Sequence, residues 1–188
     1  MEIIHHVNEL RPLPTEDPRG RCSPEVLAEA QQAKSLEDRL LNLTQTMDPE
    51  DFAHHSPKER TKVMTTAELY RVATLLYLRR TSPAGASADH RSVYLEQAFQ
   101  LLGGLEVCTS PWPLFVIACE TETDEQRIII LRTLDLMDKA RKIGNVFVLR
   151  TIIESFWKQQ DLQADSEKPK QIKWWELVTF DTAAPWFI

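Results

Sequence analysis

The sequence predicts an all-α fold, a single domain of about seven helices joined by short connections. Apolar residues recur at helical spacing in most segments, and no segment alternates apolar and polar residues over the length of a strand. The Asn-Gly dipeptides that are typical of β-hairpins are missing as well. Several segments open with the Ser-Pro or capping-box patterns that begin helices.

Three helices are predicted in the first half of the chain, after a proline-rich lead at residues 1–22. Ser23-Pro24 begins the first of them, and Ser56-Pro57, with Glu59 as the second half of a capping box, begins the next. Apolar residues surround most of this second helix, so we expect it to be the central buried one. The predicted helices cover about residues 23–47, 57–81 and 89–104.

Four further helices are predicted in the second half, which completes one helical domain over residues 23–188. Pro111 and Pro113 fit only a loop and the first turn of a helix. Thr123 to Gln126 reads as a capping box, and Asn145 reads as an N-cap after the break at Gly144. The predicted helices cover about residues 111–120, 123–143 and 145–162, and the last surrounds Trp174 and Trp175.

The net charge of −6 argues against direct nucleic-acid binding by this chain, because such binding draws much of its affinity from neutralised phosphates. The dense basic spots are short and lie at predicted helix ends or loops, where they serve solubility or the helix dipole. They are Arg79-Arg80, Lys139-Arg141-Lys142 and Lys168-Lys170-Lys173.

Cysteine usage and the N-terminus predict a soluble intracellular protein. Cys22, Cys108 and Cys119 form no Cys-x-x-Cys pair and leave one thiol over in any disulfide scheme, so we expect reduced thiols. Cys108 lies in a predicted loop and is the candidate for an exposed thiol. The first residues lack the basic and apolar regions of a signal peptide, and the longest apolar run is too short to span a membrane.

Neither a metal nor a cofactor is predicted. His5-His6 and His54-His55 are adjacent pairs, whose side chains point in different directions, and no zinc-binding or phosphate-binding motif occurs. The candidates for catalysis are Glu120 and Arg127, which lie close across the turn between two apolar helices, and His90. We interpret Glu120 and Arg127 as a buried structural ion pair in preference to a general acid or base.

Aromatic residues are concentrated after residue 110, and they suggest an apolar ligand site. Most of them will be core, but helical pockets lined by Trp and Phe also hold apolar small molecules. The candidate pocket residues are Trp112, Phe115, Cys119, Trp157, Trp174 and Tyr94.

Several ordered blocks resemble the fungal-specific transcription factor domain, the regulatory domain of fungal binuclear zinc-cluster regulators. The hallmark block is Trp112 to Glu120 followed by Asp124 to Arg127. Upstream, Ala67 to Leu78 is similar to that family's buried central helix. Further blocks at residues 144–146, 152–162 and 174–177 follow in order, so the resemblance covers about residues 25–188.

The resemblance implies a helical regulatory domain that is often dimeric, and that in some members holds an apolar ligand. Three scattered cysteines cannot form the six-cysteine zinc cluster that reads DNA in this family. Two hypotheses follow. The chain is a ligand-sensing, dimerising part of a nuclear transcription factor, or a stand-alone cytoplasmic enzyme, a cofactor-independent cyclase or isomerase of fungal secondary metabolism. A third hypothesis is a plain interaction module that uses Trp186-Phe187-Ile188 and the helix faces for oligomerisation.

Overall fold

The computed structural model describes residues 24–82, 90–140 and 144–164. These ranges hold seven α-helices and no strand, which confirms the all-α prediction. The helices are α1 (Pro24–Leu41), α2 (Pro49–His54), α3 (Pro57–Thr81), α4 (His90–Gly104), α5 (Pro111–Glu120), α6 (Asp124–Ala140) and α7 (Gly144–Ala164).

The first four helices belong to one compact unit, Met1–Gly104, whose centre is the C-terminal half of α3. From Val72 to Leu78 every side chain of α3 is buried. Both α1 and α4 pack against α3. The apolar core residues that they bring are Ala33, Leu36 and Leu40 from α1 and Tyr94, Leu95, Ala98 and Leu102 from α4.

The N-terminal half of α3 differs from the prediction of a helix buried along its length. No residue from Pro57 to Glu68 is buried, and Val63 is 44% exposed. The capping box explains how this half forms without a core: Ser56 accepts from the Glu59 amide, and the Glu59 carboxylate accepts from the Ser56 amide.

The other three helices belong to a second compact unit, Leu105–Ile188. Here α7 packs against both α5 and α6, and α6 also contacts α5. Eight consecutive residues of α5, from Pro113 to Glu120, are buried. A helix that is buried on all sides is the core of its unit, so α5 positions everything that contacts it.

The predicted and observed helix boundaries differ after the first helix and at the start of the last described one. The first helix ends at Leu41 and not near Met47, and the separate helix α2 follows, with the Asp48 side chain accepting from the Glu50 amide at its N-terminus. The last described helix begins at Gly144, so Asn145 lies in its first turn and is not its N-cap. The helix predicted around Trp174 lies outside the described residues.

None of the described helices is long and apolar enough to cross a membrane.

Candidate functional site

The end of α5 is where most of the side chains singled out in the sequence come together. We call this place the α5 corner and define it by Ala118, Glu120, Arg127, Trp157 and Asp161. All five belong to the second unit. The chain turns there at Thr121, which is fully buried, and α6 begins at Asp124 after a capping box between Thr123 and Gln126. That capping box was predicted from the sequence and is confirmed.

The backbone carbonyl of Ala118 is the polar centre of the corner. It accepts a hydrogen bond of 2.8 Å from the Trp157 indole Nε1 and another of 2.8 Å from the Thr121 hydroxyl. The Thr121 amide is a third donor, at 3.4 Å. The last carbonyls of a helix have no partner within the helix, and buried ones need donors from elsewhere. Trp157 and Thr121 supply those donors, which attaches α7 to the end of α5.

Glu120, the last residue of α5, is only 5% exposed. A carboxylate is costly to bury because it exchanges water for a less polar surrounding. Its neighbours Ile117, Ala118 and Cys119 are buried too. Glu120 is therefore the buried carboxyl of the corner, in contrast to the exposed Asp161, and the sequence prediction of a buried carboxyl at this position agrees with the structure.

Arg127 holds α6 to α7 by a bidentate ion pair. Its two terminal nitrogens donate to the Asp161 carboxylate at 3.0 and 2.7 Å, and Asp124 lies 3.9 Å away. The guanidinium also lies over the Trp157 ring, 5.5 Å from its centroid. The sequence predicted Glu120 as the partner of Arg127, whereas the ion pairs of Arg127 within the described residues are with Asp161 and Asp124.

The ion pair between Arg127 and Asp161 shifts the pKa values of both groups. Hydrogen bonds from Arg127 hold the pKa of the Asp161 carboxyl below its usual value, and the same pair raises the pKa of Arg127. The Arg127 Nε is buried and has no hydrogen-bond partner among the residues that the structure describes. The positive charge of Arg127 is thus balanced by Asp161, and hydrogen bonds and packing hold the α5 corner together.

Most of the apolar candidates from the sequence lie on α5 and α7, the two helices that the Ala118 carbonyl joins. Phe115 and Cys119 are each 2% exposed and lie one helical turn apart on α5, while Trp157 is 5% exposed on α7. Trp112, on the same side of α5 one turn earlier, is half-buried. Trp174 lies outside the described residues. Four of the six predicted pocket residues therefore lie on α5 and α7 of the second unit.

Tyr94 and His90 lie on α4, in the first unit. Tyr94 is buried, and its ring centroid is 6.0 Å from that of His90 and 5.3 Å from the Arg79 guanidinium carbon. Arg79 pairs with Glu37 at 3.5 Å, and burial, followed by the Glu37 charge, raises the pKa of the Tyr94 hydroxyl. The Arg79 side chain is 8% exposed and lies in the last turn of α3, so of the two roles suggested by the sequence the helix dipole fits and solubility does not.

Cys108 is not the exposed thiol that its loop position suggested. It is 2% exposed, its Sγ donates to the Ser110 carbonyl at 3.5 Å, and burial raises the pKa of the thiol. A buried thiol with a raised pKa has little thiolate and is chemically inert. Among the residues that the structure describes, no three His, Cys, Asp or Glu side chains are grouped as metal ligands.

A groove of about 430 Å³ lies on the exposed face of α1. The residues that line it are polar or charged and are exposed on the helix surface. The lining residues are Gln31, Lys34, Ser35, Asp38, Arg39 and Asn42.

Sequence reasoning missed the residues that complete the corner. The Ala118 carbonyl carries no side-chain signal, and Asp161 is 34 residues from Arg127, which is too far for a local pattern. The prediction recognised the α5 block and Trp157 because their residue types are conspicuous. It could not find which groups they meet.

The comparisons with known proteins agree with the sequence blocks described above. The profile of the fungal specific transcription factor domain matches residues 2–186. Among curated proteins, transcription factor iacI of Pestalotiopsis fici is 29% identical over 126 residues, which are 66% of this chain. The match spans 33% of that relative, so the chain covers about a third of its length. No solved structure matches the chain.

Proposed function

Because the chain belongs to the fungal specific transcription factor domain family, we propose that it is the regulatory part of a nuclear transcription factor and that it senses an apolar small molecule at the α5 corner. The family places the chain in transcription regulation. The sensing role and the nuclear location are the parts that we propose.

The α5 corner is the observation that supports sensing. It combines one buried carboxyl, Glu120, with a hydrogen-bonded centre at the Ala118 carbonyl and an apolar surround that includes Phe115, Cys119 and Trp157. Small-molecule sites have this composition, with many apolar groups and few convergent polar ones. A molecule that opened this packing would act on α5, α6 and α7 together, because all three helices meet at the corner.

The corner also suggests how such binding would be transmitted. Trp157 connects α7 to α5 through its indole nitrogen and lies under the Arg127 guanidinium of α6. A ligand that displaced the Trp157 ring would change both contacts at once. A ligand can shift a conformational equilibrium only by binding one arrangement better than the other, and in this proposal the ligand would favour an arrangement in which the Trp157 ring has left the Ala118 carbonyl.

The enzyme hypothesis rests on the same residues with less support. Proton transfer at neutral pH commonly uses histidine, and all five histidines of the chain lie at or before His90, outside the unit that holds the corner. Glu120 would then have to act as the acid or base without a histidine from its own unit. The charge of Arg127 is balanced by Asp161.

Native mass spectrometry of the chain purified from a filamentous fungal host tests the sensing role. We expect a retained small molecule that organic extraction recovers. Glu120→Gln should weaken rebinding of that molecule at least about tenfold, since a hydrogen bond to a charged group contributes about 1.5–3 kcal/mol. The matched control is Glu154→Gln, the same change at an exposed glutamate of α7.

Two results would contradict the sensing role. One is that no small molecule is retained and the apolar probe 1-anilinonaphthalene-8-sulfonate does not bind the folded chain. The other is equal rebinding by the two glutamine variants. Incubation of the recovered molecule with fresh protein separates the hypotheses, because a sensor returns it unchanged and an enzyme converts it.

A further inference from the structure

One flank of α6 carries exposed apolar side chains that none of the seven described helices covers. Ile129 is 40% exposed and Leu136 is 46% exposed, with the half-buried Thr133 between them and Ala140 beyond. Positions i, i+4, i+7 and i+11 form one stripe along a helix. The Thr133 hydroxyl donates back to the Ile129 carbonyl at 2.8 Å, which leaves its methyl group to the stripe. We call these four residues the Ile129 stripe.

The stripe lies on the side of α6 that faces away from α7. On the opposite side, Arg127 pairs with Asp161 of α7, and Arg150 of α7 pairs with Asp135. Ile129 is two positions from Arg127, and two positions turn a helix by about 200°. The two sides of α6 therefore differ: one is attached to α7 by ion pairs, and the other exposes apolar surface.

Positive charge borders the stripe. Arg132 lies one turn from both Ile129 and Leu136, and Lys139 lies three positions after Leu136. Both side chains are exposed, and within the described part of the chain neither forms an ion pair, although Arg127 and Arg150 on the other side both do. Glu125 lies one turn before Ile129, and hydrogen bonds from its own amide and from Thr123 lower the pKa of its carboxyl. It is therefore a negative charge at the N-terminal end of the stripe, whereas the two cations border the remaining part.

We propose that the Ile129 stripe docks an acidic amphipathic helix of a partner protein. Leucine-like side chains of the partner would cover Ile129 and Leu136, and Asp or Glu beside them would meet Arg132 and Lys139. Helices of this kind are recognised through apolar anchors at i, i+4 and i+7, while charges at the edge of the contact select the partner. The stripe is short, so the contact belongs to the weak, regulated class.

Charge argues against a second copy of this chain as the occupant. In an antiparallel pair that sets Ile129 against Leu136 of the other copy, Arg132 lies almost midway between them. The two Arg132 side chains would then meet at the symmetry axis, and like charges in that position oppose association. An acidic partner turns the same two cations into an attraction.

A peptide experiment on the whole chain tests this docking. The probe is a fluorescein-labelled helix of about 16 residues with Leu at i, i+4, i+7 and i+11 and Glu at the neighbouring positions, since such spacing keeps the leucines on one face. The control peptide has Lys in place of Glu. Fluorescence anisotropy should show the acidic peptide binding at least about tenfold more tightly than the basic one, with a clear loss in high salt.

Variants localise the contact. Leu136→Asp should abolish binding of the acidic peptide, whereas Leu162→Asp, the same change at a leucine of α7 that is 69% exposed, should leave it unchanged. Arg132→Glu should reverse the preference between the two peptides. Circular dichroism checks that each variant keeps its helices.

Three outcomes would overturn the proposal. Equal binding of both peptides would remove the charge argument, and equal loss in the Leu136 and Leu162 variants would remove the location. A dimer in sedimentation that Leu136→Asp converts to monomer would identify a second copy as the occupant.

Discussion

The most buried helix of each unit forms for a different reason. In the first unit, α3 is 25 residues long, begins with a complete capping box and carries no buried residue before Leu69. In the second unit, α5 is 10 residues long, begins with two prolines in its first turn and is buried from Pro113 to its end. The Ser110 side chain at its N-terminus makes no capping hydrogen bond.

Length and capping explain the difference. An isolated helix shorter than about 12–15 residues is marginal in water, because nucleation is unfavourable and each residue adds little. The helix α3 has 25 residues, more than this limit, so its local sequence, including the capping box, can help to stabilise it. By contrast, α5 depends on its neighbours, which bury its side chains and supply the Trp157 indole to its last turn. Substitutions in α5 should therefore affect the stability of its unit, whereas those in the first half of α3 should act locally.

The largest expected effect is a truncation in α5. Ile117→Ala should lower the free energy of unfolding by about 2–5 kcal/mol, because Ile117 has no exposed surface and its loss leaves a cavity. Val63→Ala in the exposed half of α3 should change it by less than about 0.5 kcal/mol, as expected for surface positions. Urea denaturation followed by circular dichroism measures both, and similar losses would show that α3 depends on its surroundings as much as α5 does.

The next largest effect concerns the N-terminal caps, where the substitution at the start of α3 should cost more stability than the one at the start of α5. Ser56→Ala should lower the free energy of unfolding by about 1 kcal/mol, because the Ser56 hydroxyl accepts from the Glu59 amide and donates to the Glu59 carboxylate at 2.7 Å. Ser110→Ala should cost less than about 0.5 kcal/mol, since its side chain caps nothing. Hydrogen exchange of the first-turn amides should rise in the Ser56 variant. A larger loss of stability in the Ser110 variant would mean that the Ser110 side chain helps to begin α5, which its geometry does not indicate.

The helices were largely predictable because their signals are local. The capping boxes at Ser56 and Thr123, the prolines in the first turn of α5 and the glycines that end α4 are all read within four residues of a boundary. The short helix α2 was missed because six residues are too few to show an apolar period. The exposed half of α3 was missed because apolar residues predict a buried surface but do not say whether a neighbour reaches it.

The site was predictable only in its residue types. Phe115, Cys119, Glu120 and Trp157 were found because buried aromatics and a carboxyl at a helix end are conspicuous. The bond from Trp157 to the Ala118 carbonyl spans 39 residues, and that from Arg127 to Asp161 spans 34, so both depend on how α7 packs. Arg127 was assigned to Glu120 because sequence reasoning favours near neighbours over distant ones.

The carboxylates of the two units extend the comparison to pH. Glu68 of α3 accepts from Arg71 and from Gln97 of α4, and these bonds lower the pKa of its carboxyl. Asp161 of α7 accepts from Arg127, which lowers the pKa of a carboxyl that is 59% exposed in its side chain, against 28% for Glu68. Exposed ion pairs contribute less because water screens them.

The smallest expected effect is the pH dependence of these two pairs. A carboxyl whose pKa is lower in the folded state stabilises the fold above its unfolded pKa of about 4, and this contribution is lost as the pH falls through the folded pKa. Between pH 5 and 3, the free energy of unfolding should therefore fall less steeply in Glu68→Gln and in Asp161→Asn than in the unchanged chain. The difference should be larger for Glu68→Gln. Thermal unfolding across that range measures both, with Asp138→Asn at an exposed position of α6 as the control. A larger change in the Asp161 variant would mean that the pair between Arg127 and Asp161 contributes more to the stability of its unit than its exposure implies.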